Sequence, residues 1–170
     1  MEYFLNEQQK MVKRLVRHLA EEKVLPVRKE LDETEEFPWE IMRELANVDL
    51  FRIFIPEEYG GTGGGCLDLC LVVEELSRVC SGVAVSYAAS ALGTYPVLDY
   101  GTPEQKQKYL PGIASGEKLA AFALTELTAG SDAGGIRTTA TRDGTDYVLN
   151  GTKLFISNGG EASLLDNSKR

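Results

Sequence analysis

Histidine is almost missing from this sequence: His18 is the only one. It stands in a helical pattern with no second ligand beside it, which removes histidine-based triads and most zinc sites. Cysteine is scarce as well. Cys66, Cys70 and Cys80 are odd in number and form no C-x-x-C. On a helix Cys66 and Cys70 lie one turn apart, with Cβ atoms about 5–6 Å from each other, whereas a disulfide wants about 3.8 Å. The three are expected to be small buried hydrophobes in a reducing compartment.

Positive charge is also short, with 18 basic against 26 acidic side chains and a net charge of -8. No Lys/Arg cluster offsets this, so nucleic acid and anionic membrane are excluded as partners. No apolar run approaches the roughly 20 residues that span a bilayer. The opening MEYFLNEQQK lacks the basic start and apolar core of a signal peptide. A cytoplasmic protein is the expectation. Internal repeats, low-complexity stretches and the G-K-[ST] of a phosphate loop are absent too.

What is present suits a globular chain: 170 residues with 43% hydrophobic side chains, enough for one or two domains. Residues 6–25 place Met11, Val12, Leu15, Val16 and Leu19 at three- and four-residue steps, and Asn6 with Gln9 reads as a capping box. Pro26 should end or kink that helix. A second helix is expected near Pro38, with Trp39, Met42 and Leu45 on one face. The glycines of FIPEEYGGTGGG do not fit G-x-G-x-x-G, because Cys66 takes the final glycine position counted from Gly61. They read as a flexible connection. CLDLCLVVEELSRVC (66–80) suggests a buried helix. GVAVSYAASALGTYPVLDYG (82–101) is rich in small residues, which favours close helix packing. Thr102, Pro103 and Gln105 supply an N-cap, a first-turn proline and a capping-box partner for another helix.

After Gly116 the character changes. LAAFALT (119–125) reads as a short buried strand, and residues 136–157 alternate, punctuated by Asp143-Gly144 and Asn150-Gly151, both hairpin signals. The expectation is an α+β chain: an N-terminal all-helical domain over residues 1–117, then the start of an antiparallel β domain over 118–170.

The stretch FALTELTAGSDAGG (122–135) carries the candidate site. Its glycines permit close backbone approach, consecutive turn residues can gather N–H groups into one concavity, and Thr125, Thr128 and Ser131 add hydroxyls. In LFISNGG, Phe155 precedes Ser157 and Asn158, and an aromatic beside a hydroxyl suits a planar heterocycle. A plain loop of Asx- and Ser-type turns explains the same residues. The physics leaves both open and names no ligand.

Taken together, ALTELTAGSDAGG, YVLNGTKLFISNGG, PEEYGG (56–61) and YGTPEQKQKYLP (100–111) resemble the acyl-CoA dehydrogenase family, from the first helix to about Ala162. The resemblance implies an FAD enzyme with a helical N-terminal domain, a middle β domain and a C-terminal helical bundle. It implies that Phe122, Ala123, Leu124, Thr125, Gly130, Ser131, Phe155, Ile156 and Ser157 bind FAD. Leu124 and Thr125 then touch the pyrimidine edge of the ring and Ser157 lies near flavin N5. Ser131 also meets the acyl-CoA thioester, and Ala88 to Tyr95 lie near the end of the acyl pocket.

The implied reaction is α,β-dehydrogenation of an acyl-CoA, with electrons passed to an electron-transferring flavoprotein and the full-length protein a homo-oligomer, tetramer or dimer. The sequence departs from the family pattern in three places. Leu127 stands where proline is usual, Phe155 replaces a common tryptophan, and SLLDNSKR closes the chain where the family continues into further strands and helices. The family's catalytic glutamate belongs to that later region, so no catalytic residue is assigned here, metal ligands are not expected, and Glu126 is expected to be structural. Two alternatives remain: an acyl-CoA oxidase-like flavoenzyme, and a non-catalytic CoA- or flavin-binding or interaction module. Acyl chain length and branching are not legible.

Overall fold

The computed structural model describes residues 4–167. Met1, Glu2 and Tyr3 lie outside that range, as do Ser168, Lys169 and Arg170 at the close of SLLDNSKR. The first helix, α1 (Glu7–Leu19), opens with the expected capping box: the Gln9 N–H donates to Asn6 Oδ1 at 2.8 Å and the Asn6 N–H to Gln9 Oε1 at 3.1 Å. It loosens into one π-helical turn at Ala20–Val24, where the Leu25 N–H reaches the Ala20 carbonyl at 2.9 Å. Pro26 ends the run, yet α2 (Arg28–Thr34) starts two residues later. Apolar spacing does not announce α2, because it buries none of its residues.

Next, α3 (Trp39–Asn47) buries Ile41, Met42 and Leu45. A pair of short 3-10 turns then leads into the glycine stretch, which is not a loose connection. The Thr62 and Gly63 N–H groups donate back to the Arg52 and Ile55 carbonyls at 2.9 and 3.0 Å. A β-carbon on Gly61 would overlap the Ile55 carbonyl, so the loop packs edge-on against residues 52–55.

The core is built around α4 (Cys66–Ser77), α5 (Ser81–Tyr100) and α6 (Pro103–Ala114), with α1 across α4. Phe51, Met42, Leu45, Leu76, Leu110 and Ile113 are fully enclosed, each such side chain worth ~1.5–3 kcal/mol relative to exposure. Tyr87 is buried among them, edge-on to Phe51 at 5.3 Å, and its hydroxyl donates to the Leu50 carbonyl at 2.7 Å. Burial pushes that hydroxyl's pKa up, so it stays a donor.

One buried carboxylate sits in this apolar setting. Glu75 takes a bidentate pair from Arg17, both contacts at 2.8 Å, with Arg78 at 3.1 Å and Lys13 at 3.4 Å. Burial pushes its pKa up, but the Arg17 guanidinium and its cationic neighbours win and hold the carboxyl below the usual range. This cluster ties α1 to α4. The cysteine expectation fails: Cys66 and Cys70 are exposed and Cys80 is half-buried. Helix α4 turns only the face of Leu71, Val72, Glu75 and Leu76 inward, and the first two cysteines fall off it.

After α6, whose capping box is formed as expected by Thr102 and Gln105, the chain enters strands. The hairpin of β2 (Thr139–Asp143) and β3 (Asp146–Asn150) is antiparallel, Thr139 opposite Asn150, turning at Gly144. By contrast β1 (Ala120–Ala123) pairs in parallel with β4 (Leu164–Asn167). A parallel pair needs a long crossover, supplied here by residues 124–163. Asn150-Gly151 makes no hairpin: Gly151 runs close across Thr138 and the chain continues as coil. The described residues thus form an α+β chain, six helices followed by the start of an antiparallel β region. Among them no helix is long and apolar enough to cross a membrane.

Candidate functional site

The site begins where α5 and β1 touch. Small residues on α5 let the strand approach until Gly93 lies against the Ala121 backbone; a β-carbon there would sit 2.6 Å from the Ala121 carbonyl carbon. The strand therefore has a fixed seat, and its C-terminal end delivers residues 122–125 beside the α5 face of Val85, Ala88, Ala89, Leu92 and Tyr95. That face repeats at three- and four-residue steps.

A second segment, residues 153–157, is held to the first by a buried polar cluster. Lys153 Nζ donates to the Leu124 carbonyl at 3.0 Å and pairs with Glu126 at 2.9 Å, both side chains only 7% exposed. The Leu154 N–H donates to the Thr125 carbonyl at 2.9 Å. Glu126 also accepts from the Thr138 hydroxyl, from the Arg137 N–H at 2.7 Å and from the Thr138 N–H at 3.0 Å. The Thr138 hydroxyl foremost, then the Arg137 N–H and the Lys153 ammonium, hold its pKa at about 2. With its lone pairs filled and its charge paired, Glu126 is a structural carboxylate.

The two segments and α5 enclose a cavity of about 670 Å³, lined from the first by Phe122, Leu124 and Thr125 and from the second by Phe155, Ile156 and Ser157. Its remaining wall is Leu69 and the α5 face. Six of the nine residues picked out from sequence are thus brought together. Ala123 is buried with its side of β1 and does not line the cavity. Gly130 and Ser131 stand exposed on the following loop, outside it. The reason is local: Glu126 and Ala129 pair through N–H···O bonds of 2.9 and 3.2 Å, closing a tight turn that sends the chain away. Leu127, at the tip of that turn, is exposed.

Leu69 and Val85 escaped the sequence reading. Val85 was findable, since it begins the 85–88–89–92 stripe; Leu69 reads as ordinary core. Phe155 is held at φ 56° with its ring 92% exposed, so an aromatic face stands at the cavity mouth in a backbone conformation seldom adopted by a bulky residue. The cavity offers apolar walls, the hydroxyl-bearing side chains of Thr125, Ser157 and Tyr95, and an aromatic face. That donor set fits a flat heteroaromatic ring with a polar rim, and the volume is in the range of small-ligand sites.

Family comparison agrees in extent. The model of the acyl-CoA dehydrogenase N-terminal domain matches residues 6–117, and that of the acyl-CoA dehydrogenase middle domain matches residues 121–165. The chain belongs to the acyl-CoA dehydrogenase family. A short-chain-specific acyl-CoA dehydrogenase of Clostridium acetobutylicum is 44% identical over 163 residues, 95% of this chain and 43% of that protein. A chain solved in work on the electron transferring flavoprotein of Acidaminococcus fermentans shares 40% identity at a TM-score of 0.89, covering 95% of this chain and 43% of that one. An acyl-CoA dehydrogenase of Bacillus anthracis complexed with FAD shares 39% at 0.88, covering 95% and 28%. The chain thus spans about 42–43% of the length of the curated acyl-CoA dehydrogenases it resembles. Within the family frame, the 670 Å³ cavity lies where the segments matched by the two domain models meet.

Proposed function

We propose that this chain forms the flavin- and acyl-facing part of an FAD-dependent acyl-CoA dehydrogenase that desaturates an acyl-CoA between its α and β carbons. The supporting observation is the convergence of residues 122–125, residues 155–157 and the α5 face on one apolar cavity. The division into a helical domain, 1–117, and a partial β domain, 118–170, belongs to the same reading.

Bound at this cavity, FAD supplies a two-electron oxidant for the Cα–Cβ bond of the thioester. The chain's own residues bind and orient. Thr125 and Ser157 offer hydroxyls to the polar rim of the ring, while Phe122, Leu124 and Phe155 keep water from its faces. Ala88, Ala89, Leu92 and Tyr95 offer the acyl chain an apolar wall. Gly130 and Ser131, on the neighbouring loop, serve the outer parts of cofactor and thioester. The base that takes the α-proton is not in this chain: the carboxylate beside the cavity, Glu126, is locked in its cluster. Electrons pass to an electron-transferring flavoprotein, and the complete enzyme is a homo-oligomer.

Titration of the chain with FAD, followed by quenching of flavin fluorescence, tests the reading. Saturable binding is expected, weakened about tenfold by Thr125→Val or Ser157→Ala, the loss of one hydrogen bond of ordinary strength. No saturable binding, or full binding by both variants, overturns it. The chain alone is expected to turn over no acyl-CoA, and measurable turnover refutes the assignment of the base elsewhere.

A further inference from the structure

The cavity residues Phe155 and Ser157 lie on coil, yet the residue that follows them is one of six buried polar or charged residues among those described. Asn158 is 8% exposed and has φ 61°, a left-handed conformation that asparagine tolerates far better than most side chains. Its amide nitrogen donates to the Ser86 carbonyl at 2.8 Å, and lies 3.3 Å from both the Ser90 hydroxyl oxygen and the Ala120 carbonyl. Two of those acceptors are on α5 and one is on β1, the two elements that wall the cavity. Ser86 and Ser90 each follow a cavity-lining residue, Val85 and Ala89.

The same residue shapes the chain beyond. Its carbonyl accepts from the Glu161 and Ala162 N–H groups at 3.0 and 2.8 Å. Its Oδ1 is buried with no protein partner. An acceptor left unpaired there shows which end of the amide matters: the nitrogen faces three acceptors, and an oxygen in its place would face three lone-pair-bearing atoms. On the other side of residues 156–161 lies a second cavity of about 1010 Å³. Ile156 lines both cavities, and residues 155–157 have no ladder to hold them.

We propose that Asn158 is a positioning residue: its amide clamps residues 155–157 onto α5 and β1 and thereby sets Phe155 and Ser157 in the flavin-facing cavity. The effect on flavin rests on the proposed function; the clamp itself does not. Asn158→Gly keeps the left-handed backbone accessible and removes only the amide. Ser90→Ala removes one acceptor, together with that hydroxyl's contact with the Ala120 N–H at 3.3 Å, and leaves the backbone of residue 158 untouched.

Hydrogen–deuterium exchange on the full 170-residue chain without cofactor reads the clamp directly. The bonded amides of this stretch, the Gly159 N–H to the Ile156 carbonyl and the Glu161 and Ala162 N–H groups to the Asn158 carbonyl, are expected to lose protection at least about tenfold in Asn158→Gly and less in Ser90→Ala, as for one or two hydrogen bonds of ordinary net strength. Protection in α1 and α4 should be unchanged. Unaltered exchange at Gly159, Glu161 and Ala162 in both variants overturns the proposal, and so does a loss spread evenly over the whole molecule.

FAD titration of the same variants separates the two readings. Weaker binding by Asn158→Gly, with a shifted flavin absorption band, supports the clamp as a positioner of the cofactor face. Local loosening with FAD affinity unchanged, while Ser157→Ala weakens it, overturns the positioning role. If the unmodified chain binds no FAD, the functional reading fails and the exchange result alone decides the clamp.

Discussion

The close seating of β1 on α5 makes the sharpest prediction. At Gly93, a methyl group would meet Ala121 backbone atoms at 2.6–2.7 Å, about 0.7 Å short of ordinary contact. The obstructing atoms belong to β1, which is paired to β4 on one edge and seated on α5, so no side chain can rotate away. Gly93→Ala must therefore separate helix and strand. Overpacking of this kind costs ~1–3 kcal/mol, and contact with backbone places it near the top of that range. The alanine returns about 1 kcal/mol through helix propensity. The net loss is about 2 kcal/mol, which in urea moves the unfolding midpoint down by roughly 1 M at an m-value of ~2 kcal/mol/M. Urea melts followed by circular dichroism measure this, with Gly160→Ala as the control because a β-carbon there would meet nothing within 4 Å. Ala121→Gly should not rescue the variant, since the clash is with backbone. A Gly93→Ala chain as stable as the original refutes the argument.

Three further outcomes are expected. Glu126 has an ordinary pKa of 4.5 and is held at about 2 by its neighbours, so its stabilisation is complete above pH 4.5 and drains away as pH falls toward 2; thermal melts of Glu126→Gln between pH 2 and 6 should lose that acid limb, and identical limbs refute it. Tyr87→Phe leaves the buried Leu50 carbonyl only the long Ile53 N–H contact at 3.4 Å and should cost ~0.5–1.5 kcal/mol in urea unfolding, with the m-value unchanged; a neutral result means that the Tyr87 hydroxyl bond adds nothing to stability. Glu75→Gln leaves Arg17, Lys13 and Arg78 facing a neutral amide and should cost ~1–3 kcal/mol in the same assay, below the ~3–5 kcal/mol of breaking a fully buried pair because Arg17 and Arg78 are half-exposed; a change within about 0.5 kcal/mol contradicts a role in joining α1 to α4.

Much of the helical part was legible because its signals are local. The capping boxes at Asn6 and Thr102 and the first-turn proline at Pro103 depend on residues three apart, and they form as read. Helix α2 was invisible because its one apolar residue, the half-buried Leu31, sets up no apolar period to detect. The cysteines were misplaced because residue type gives the average burial of cysteine, while the face of α4 is chosen by what α1 and α5 present to it. Site residues divide the same way. Phe122 to Thr125 and Phe155 to Ser157 could be picked out as two motifs, but the bond that joins them runs from Lys153 to Glu126 across 27 positions. That pairing becomes apparent only when the crossover between β1 and β4 is known. Gly130 and Ser131, near in sequence, were carried away by a turn of four residues.

How the site is supported follows from where it sits. The first lining segment leaves its strand after Ala123 and the second never joins one, so no ladder of backbone bonds fixes Leu124, Thr125 or residues 155–157, and an apolar cavity beside them gives no directional hold. Direction comes instead from buried polar groups whose geometry admits few alternatives. Lys153 and Glu126 join the first segment to the second; Asn158 joins the second to α5 and β1. Each group has been taken out of water, so a lining segment that drifts leaves a charge or amide unpaired and is penalised more steeply than loss of apolar contact alone. Hydrophobic packing makes the scaffold of α4, α5 and α6. Orientation of the few side chains that would meet a ligand is left to these hydrogen-bonded anchors, placed one residue after the first lining segment and on either side of the second.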